Sequence, residues 1–267
     1  MCQKLTCMDW MKENSVLQLM KGGHGLPMLR GVVGVMAALM MVLGAGCGNE
    51  AAPRWVKIPG GVEGVGSVEQ VGNPPRDVVM RTFELSATEV TVGQFERFLR
   101  EEGRPGFASE QFEGVGKDAR AVVGRSYPVH SVTVADAEAY AAWLGNRLGR
   151  TVRLPTADEW EVAARGGVFG ARYPWGWGEP ERSRARWNAA GAAKVGRFPR
   201  TGYGLFDMAG NLAEWAVESV GVDRKGWLMG GSWADTDPGM LRVDTRIRQP
   251  LDYSGPDVGF RVLKEGR

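Results

Sequence analysis

Apolar residues in the middle of the chain recur at helical spacing in three places, and each run is bracketed by the same chemistry. Val92, Phe95, Phe98 and Leu99 fall on one face of a helix that opens at Thr91-Val-Gly-Gln94 and stops at Gly103. Ala137, Tyr140, Ala141, Leu144 and Leu148 do the same from Thr133 past Asp136, with Gly149 closing the run. A third helix is predicted from Thr156-Ala-Asp-Glu159; it buries Trp160 and Ala164 and ends at Gly166-Gly167. In each case a threonine hydroxyl is placed to accept a first-turn N–H while the residue three positions on reaches back, the capping-box arrangement. Short apolar runs between turn residues read as strands: Thr82-Phe-Glu-Leu-Ser-Ala and the glycine-rich approach to it, Gly226-Trp-Leu-Met, and Gly259-Phe-Arg-Val-Leu. These periodicities describe an irregular α+β chain.

The amino-terminal part has a different pattern. Gly31 to Leu43 is a run of small and apolar residues behind Arg30, and it ends at Gly44-Ala-Gly-Cys47. At about 13 residues it falls short of the roughly 20 that a permanent membrane helix needs, and it has the layout of a secretory signal peptide. Its end resembles a bacterial lipobox, although Leu43 stands four rather than three residues before the cysteine. The expected organisation is an extension or mis-assigned start over 1–27, a signal peptide over 28–47 with Cys47 as the lipidated residue, a polar tether over 48–54 and one folded domain over 55–267. The protein is then an exported, membrane-anchored lipoprotein of a bacterial cell envelope, facing the periplasm or the cell surface.

Composition sharpens this picture in two respects. With 33 Lys and Arg against 31 Asp and Glu in 267 residues, and neither a basic stripe nor an acidic tail evident, nucleic acid is not an expected partner. The 39 glycines and 10 tryptophans suit a fold of tight turns and large aromatic anchors. The three cysteines stand at 2, 7 and 47, so the domain has neither a disulfide framework nor a cysteine metal site.

Four blocks carry a more specific signal: Arg153-Leu-Pro-Thr-Ala-Asp-Glu-Trp-Glu-Val-Ala-Ala-Arg-Gly-Gly167, Tyr203-Gly-Leu-Phe-Asp-Met-Ala-Gly-Asn-Leu-Ala-Glu-Trp215, Gly230-Gly-Ser-Trp233 and Val258-Gly-Phe-Arg261. Ile58-Pro-Gly-Gly61, Val65-Gly-Ser67 and Thr88-Glu-Val-Thr91 precede them. In this order the chain resembles the formylglycine-generating, sulfatase-modifying-factor family over residues 55–263. The resemblance implies an irregular C-type-lectin-like α+β fold with short strands and few helices. Its best-studied members hold copper with two cysteines, whose places fall at about Asp235 and Met240 in this chain. Cu(I) selects thiolates and thioethers, so a carboxylate and one methionine are a poor substitute and copper is not expected. Iron is not expected either, because His130 is the one histidine after Cys47 and cannot build a two-histidine site.

The same resemblance implies structural calcium, carried over to the side chains of Asp207 and Glu214 and the main chain of Gly210 and Leu212, all hard oxygens of the kind calcium takes. It leaves two readings of function. In the first, the domain is a non-catalytic binding or assembly module, with a groove near Trp233 and Asp235 for an extended peptide or a glycan of the cell envelope. In the second, it is an oxidoreductase-type tailoring enzyme with different chemistry, for which Asp235, Asp237 and Arg246 are the candidate catalytic residues. Arg153, Arg165, Arg242, Arg246 and Arg261 are read as forks that tie loops to carboxylates. Trp160, Trp175, Trp215 and Trp233 are read as core anchors.

Overall fold

The computed structural model describes residues 52–103, 124–220 and 223–266. The signal-peptide and lipidation assignments, Cys47 included, lie outside the described residues. Among those described, no helix is long and apolar enough to cross a membrane.

All three predicted helices form. Helix α1 spans Val92–Glu101, α2 Val134–Leu148 and α3 Ala157–Arg165, and each has a complete capping box. Thr91 pairs reciprocally with Gln94, Thr133 with Asp136 and Thr156 with Glu159, so two otherwise orphaned N–H groups are met at each start. Gly149 and Gly166 take left-handed backbone at the C-caps of α2 and α3.

The strands are β1 (Trp55–Ile58), β2 (Gly61–Val65), β3 (Arg76–Met80), β4 (Phe83–Ser86), β5 (Val152–Arg153), β6 (Ala213–Val220), β7 (Asp223–Met229), β8 (Arg246–Gln249), β9 (Val258–Gly259) and β10 (Leu263–Glu265). They form a sheet in the order β1-β4-β10-β5, a hairpin of β2 and β3, and a second four-stranded sheet in the order β8-β7-β6-β9. All pairings are antiparallel except β6 with β9. This is the mixed α+β architecture with short strands and few helices that the resemblance implied.

One reading of the strands needs correction. Gly259 to Leu263 is not one strand: β9 joins β6 in one sheet and β10 lies between β4 and β5 in the other. The chain changes sheets at Phe260-Arg-Val262, where the Phe260 carbonyl accepts from Val90 N and the Val262 carbonyl from Ser86 N. The cause lies at Arg261, which is fully buried and whose guanidinium binds inward rather than alternating to solvent. Glu214 stands in β6, which the sequence pattern did not separate out; β6 pairs along its length with β7, from Glu214 opposite Met229 to Val220 opposite Asp223.

Two large apolar clusters fill the space between these layers. The first packs Phe95, Phe98 and Tyr140 of α1 and α2 on Trp215 and Phe260, with the Tyr140 and Phe260 rings 5.5 Å apart. The second gathers Ile58, Phe83 and Leu85 from the first sheet with Trp160, Leu205, Met208 and Met229. Full burial of each such side chain contributes about 1.5–3 kcal/mol, against about 1 kcal/mol for a typical cap. A small third cluster of Tyr173, Ala185, Ala209 and Leu241, with Trp175 and Trp187 against it, anchors the long connection before β6.

Candidate functional site

The glycines Gly230 and Gly231 end β7 and turn the chain into the segment that carries the site. Both have positive φ, 82° and 65°. A Cβ at Gly230 would sit 2.9 Å from the Trp160 ring, and one at Gly231 would sit 2.8 Å from the Met240 carbonyl oxygen. Beyond them, Trp233 N donates to the Asn211 carbonyl (2.9 Å), while the carbonyls of Trp233 and Asp235 accept from Ala189 N (2.8 Å) and Asn188 N (2.9 Å). The loop is thus sewn on both sides to fixed backbone.

Ser232 is fully buried and central to this turn. Its backbone N–H (2.7 Å) and hydroxyl (2.9 Å) both reach Asp235 Oδ2, and its Oγ lies 3.2 Å from Asp257 Oδ2 and accepts from Ala234 N at 3.2 Å. A hydroxyl has one proton to donate, so it is shared between two carboxylates. The His130 ring is nearby: its Nδ1 meets Ser131 Oγ at 3.0 Å, and burial holds its pKa below the ordinary histidine range although the Asp257 charge acts the other way.

The structure separates the three candidate catalytic residues. Asp235 is held by Ser232. Asp237 is exposed and caps the short 3₁₀ turn Pro238–Leu241 through Gly239 N at 2.8 Å. Arg246 has a buried side chain committed elsewhere, to Asp158 (2.6 Å), Glu161 (2.9 Å) and Glu218 (3.4 Å). No hydrogen bond or ion pair joins any two of the three. Trp233 and Asp235 are half-buried, with Ala234 and Thr236 exposed beside them, so this stretch is a ledge with a wet edge. Met240 sits half-buried in the 3₁₀ turn.

Behind the ledge lies a buried charged knot. Arg261 binds Glu214 through two parallel contacts, Nε to Oε2 at 2.5 Å and Nη2 to Oε1 at 2.6 Å, and also donates to the carbonyls of Ser86 (3.1 Å) and Phe206 (3.0 Å). Trp160 Nε1 adds a 2.7 Å bond to Glu214 Oε2. Asp207, at a positive φ of 55°, accepts from Gly196 N at 2.5 Å and Phe198 N at 3.4 Å. Asn211, also at positive φ, donates to Glu89 Oε1 (2.7 Å) and accepts from Ala193 N (2.7 Å).

Glu89 was not singled out in the sequence, where it reads as part of the approach to α1. It is 1% exposed, and its Oε2 has no hydrogen-bond partner. Burial, then the Asp207 and Glu214 carboxylates, hold Glu89 well above the ordinary glutamate range; burial also raises Asp207, against the two N–H groups that it accepts. Three buried carboxylates facing one guanidinium leave negative charge to be neutralised by a proton or a hard cation. Among the described residues, no group of three His, Cys, Asp or Glu side chains could hold a metal ion. A calcium ion held by the carried-over set would have Asp207, the main-chain oxygens of Gly210 and Leu212, and a Glu214 whose two oxygens it would have to share with Arg261 and Trp160. The orphaned Glu89 oxygen beside them is consistent with that hard-oxygen chemistry.

The remaining arginines behave as read. Arg153 grips Glu159 by two 2.8 Å bonds, Arg165 pairs with Glu161 at 2.7 Å and Arg242 with Asp244 at 2.8 Å. Of the four tryptophans, Trp160 and Trp215 are fully buried, whereas Trp175 stacks half-buried on Tyr173 at 5.2 Å and Trp233 lies on the ledge.

Comparison with known proteins places these features in a family context. The sulfatase-modifying factor enzyme 1-like domain matches residues 45–266. A mouse (Mus musculus) protein named inactive C-alpha-formylglycine-generating enzyme 2 is 30% identical over 275 residues, covering 80% of this chain and 86% of its own. The formylglycine-generating enzyme of Thermomonospora curvata is 37% identical over 157 residues, 53% of this chain and 44% of that one. Among solved structures, PvdO from Pseudomonas aeruginosa superposes with a TM-score of 0.67 at 26% identity, covering 80% of this chain and 95% of that one.

Proposed function

The chain belongs to the sulfatase-modifying-factor family of formylglycine-generating enzymes, and we propose that this member is a non-catalytic binding or assembly module. The observation that carries the proposal is the chemistry of the Ser232–Met240 segment. Where the family's copper-dependent members have two thiolates, this chain has Asp235, an oxygen ligand already satisfied by Ser232, and a single thioether at Met240. A soft monovalent cation gains little from such a pair. The similarity to a relative named inactive supports the same reading.

In this proposal the half-exposed ledge of Trp233 and Asp235 receives an extended peptide or a glycan. Trp233 supplies flat apolar area and Asp235 an acceptor at its edge. The module is tethered to the bacterial envelope by lipid on Cys47, and calcium at Asp207, Gly210, Leu212 and Glu214 locks the loops behind the ledge. The test is the metal content of the full chain purified without chelator. About one calcium per chain with neither copper nor iron is the expected result. Copper or iron at one per chain would overturn the non-catalytic reading, and absence of calcium would overturn the calcium assignment alone.

A second reading, an oxidoreductase-type tailoring enzyme, draws on the polar group around Ser232, with Asp235 and Asp257 on its hydroxyl. Under it, Asp235→Asn abolishes a genetic phenotype that depends on the protein while leaving its melting temperature near that of the parent. An unchanged phenotype would remove this reading.

A further inference from the structure

Between the third apolar cluster and the ledge, the chain from 182 to 200 carries six basic residues, Arg182, Arg184, Arg186, Lys194, Arg197 and Arg200, and no acidic one. In a protein of net charge +2 this is a strong local excess. Three of these residues, Arg182, Arg186 and Arg197, line a pocket of about 270 Å³ together with Trp187, Ala189 and Phe198. No acidic side chain lines it. The nearest acid along the chain, Glu181, takes the Ser183 hydroxyl at 3.0 Å and reaches Arg184 at 4.0 Å.

Thirteen arginine and lysine side chains among the described residues are in ion pairs, and the three arginines here are not. Arg182 and Arg197 make no hydrogen bond or ion pair with the described residues, and Arg186 makes one side-chain bond, from Nε to the Gly191 carbonyl at 2.8 Å. That bond fixes the direction of the Arg186 fork and leaves its terminal N–H groups unused. The backbone beneath it is equally fixed: the Arg186 carbonyl accepts from Asn211 N at 2.8 Å, next to the charged knot. Trp187, which also lines the pocket, is held by the third cluster. Ala189, on the rim, is bonded to the ledge through the Trp233 carbonyl.

The geometry points to a binding site for a tetrahedral oxyanion, phosphate or sulfate, gripped by the forks of Arg182, Arg186 and Arg197. Guanidinium forks match the oxygen spacing of such groups and hold them by charge-assisted bonds. The volume lies just under the roughly 300–1,000 Å³ of clefts that take drug-sized ligands, which suits a free ion or its ester on one sugar-sized carrier. The site is independent of the binding-module reading, because neither the ledge nor an absence of catalysis enters the argument.

The test is isothermal titration calorimetry of the full chain with sodium phosphate and sodium sulfate at constant ionic strength, with sodium chloride as the control anion. Saturable one-site binding of phosphate or sulfate, absent with chloride, is expected. The double variant Arg182→Gln, Arg197→Gln weakens it by about tenfold or more, since each lost charged hydrogen bond is worth at least that. Its unliganded melting temperature stays at the parent's value, because neither side chain has a partner to lose. Heats equal to those of chloride, or undiminished binding in the double variant, would overturn the proposal. Glucose 6-phosphate distinguishes the sources: tighter binding than inorganic phosphate assigns the site to an ester, equal or weaker binding to the free ion, and both uphold it.

Discussion

Replacing Arg261 with methionine keeps much of the side chain's apolar stem and removes the guanidinium that faces Glu214, Glu89 and Asp207. Glu214 loses both parallel bonds, and the carbonyls of Ser86 and Phe206 lose a donor each. Removing one partner of a buried ion pair costs about 3–5 kcal/mol, most of it the penalty of the charge left behind. Against a total stability of roughly 5–15 kcal/mol this is a large fraction, equivalent to about 6–20 °C in melting temperature for a domain of this size. Urea unfolding followed by tryptophan fluorescence measures it as a shift in midpoint at unchanged slope, with chelator present so that no bound cation replaces the lost charge. The double variant Arg261→Met, Glu214→Gln removes the stranded charge and recovers a substantial part of the loss. The defect also shrinks as pH falls, because the Arg261 charge is one of the influences that lower Glu89 and Asp207, and without it both hold protons to higher pH. A single variant that loses less than about 1 kcal/mol, or a double variant no better than the single, would refute the account of the knot as a compensated buried charge.

Three further outcomes are expected. Glu89→Gln, measured with chelator present, is more stable than the parent near neutral pH. A carboxyl whose folded pKa is raised favours the fold below the ordinary value near 4.3 and loses that contribution as pH rises toward the folded value, so the gap in melting temperature closes on acidification and a constant gap would contradict it. Gly230→Ala meets both a left-handed φ and the Trp160 ring, and calorimetry should show a loss of about 2–4 kcal/mol; near-parental stability would mean the turn relaxes freely. Asp235→Cys with Met240→Cys supplies two thiolates at the positions aligned with the family's cysteines, and competition with a chromogenic Cu(I) chelator should reveal copper binding that the parent lacks, while failure to bind would place those positions too far apart.

Local chemistry was legible in the sequence, and long-range pairing was not. The helix starts at Thr91, Thr133 and Thr156 could be read because each cap is completed within four residues. Strand β10 was merged with β9 because nothing local marks the change of sheet; its cause is the attraction between Arg261 and Glu214, 47 positions apart. Glu89 was invisible for the same reason, as its partner Asn211 lies 122 positions away. The long hairpin of β6 and β7 was half-read, since the end of the Tyr203–Trp215 block was read for the ligands the resemblance implies and not for the strand that begins at Ala213. The basic excess between 182 and 200 was present as plain composition, but a near-neutral whole-chain charge averaged it away.

The position of β10 also sets when this domain can form. It is the last strand to be made, yet it lies between β4 and β5, and β5 has no other neighbour in its sheet. The Arg261 that closes the charged knot arrives only a few residues before it. A growing polypeptide therefore cannot pair Glu214 with Arg261 before residue 261 is made, nor complete its first sheet before synthesis has passed residue 265. The partners joined at that moment are up to 182 residues apart, Phe83 with Glu265, a topology that folds slowly and stays open to proteases and chaperones meanwhile.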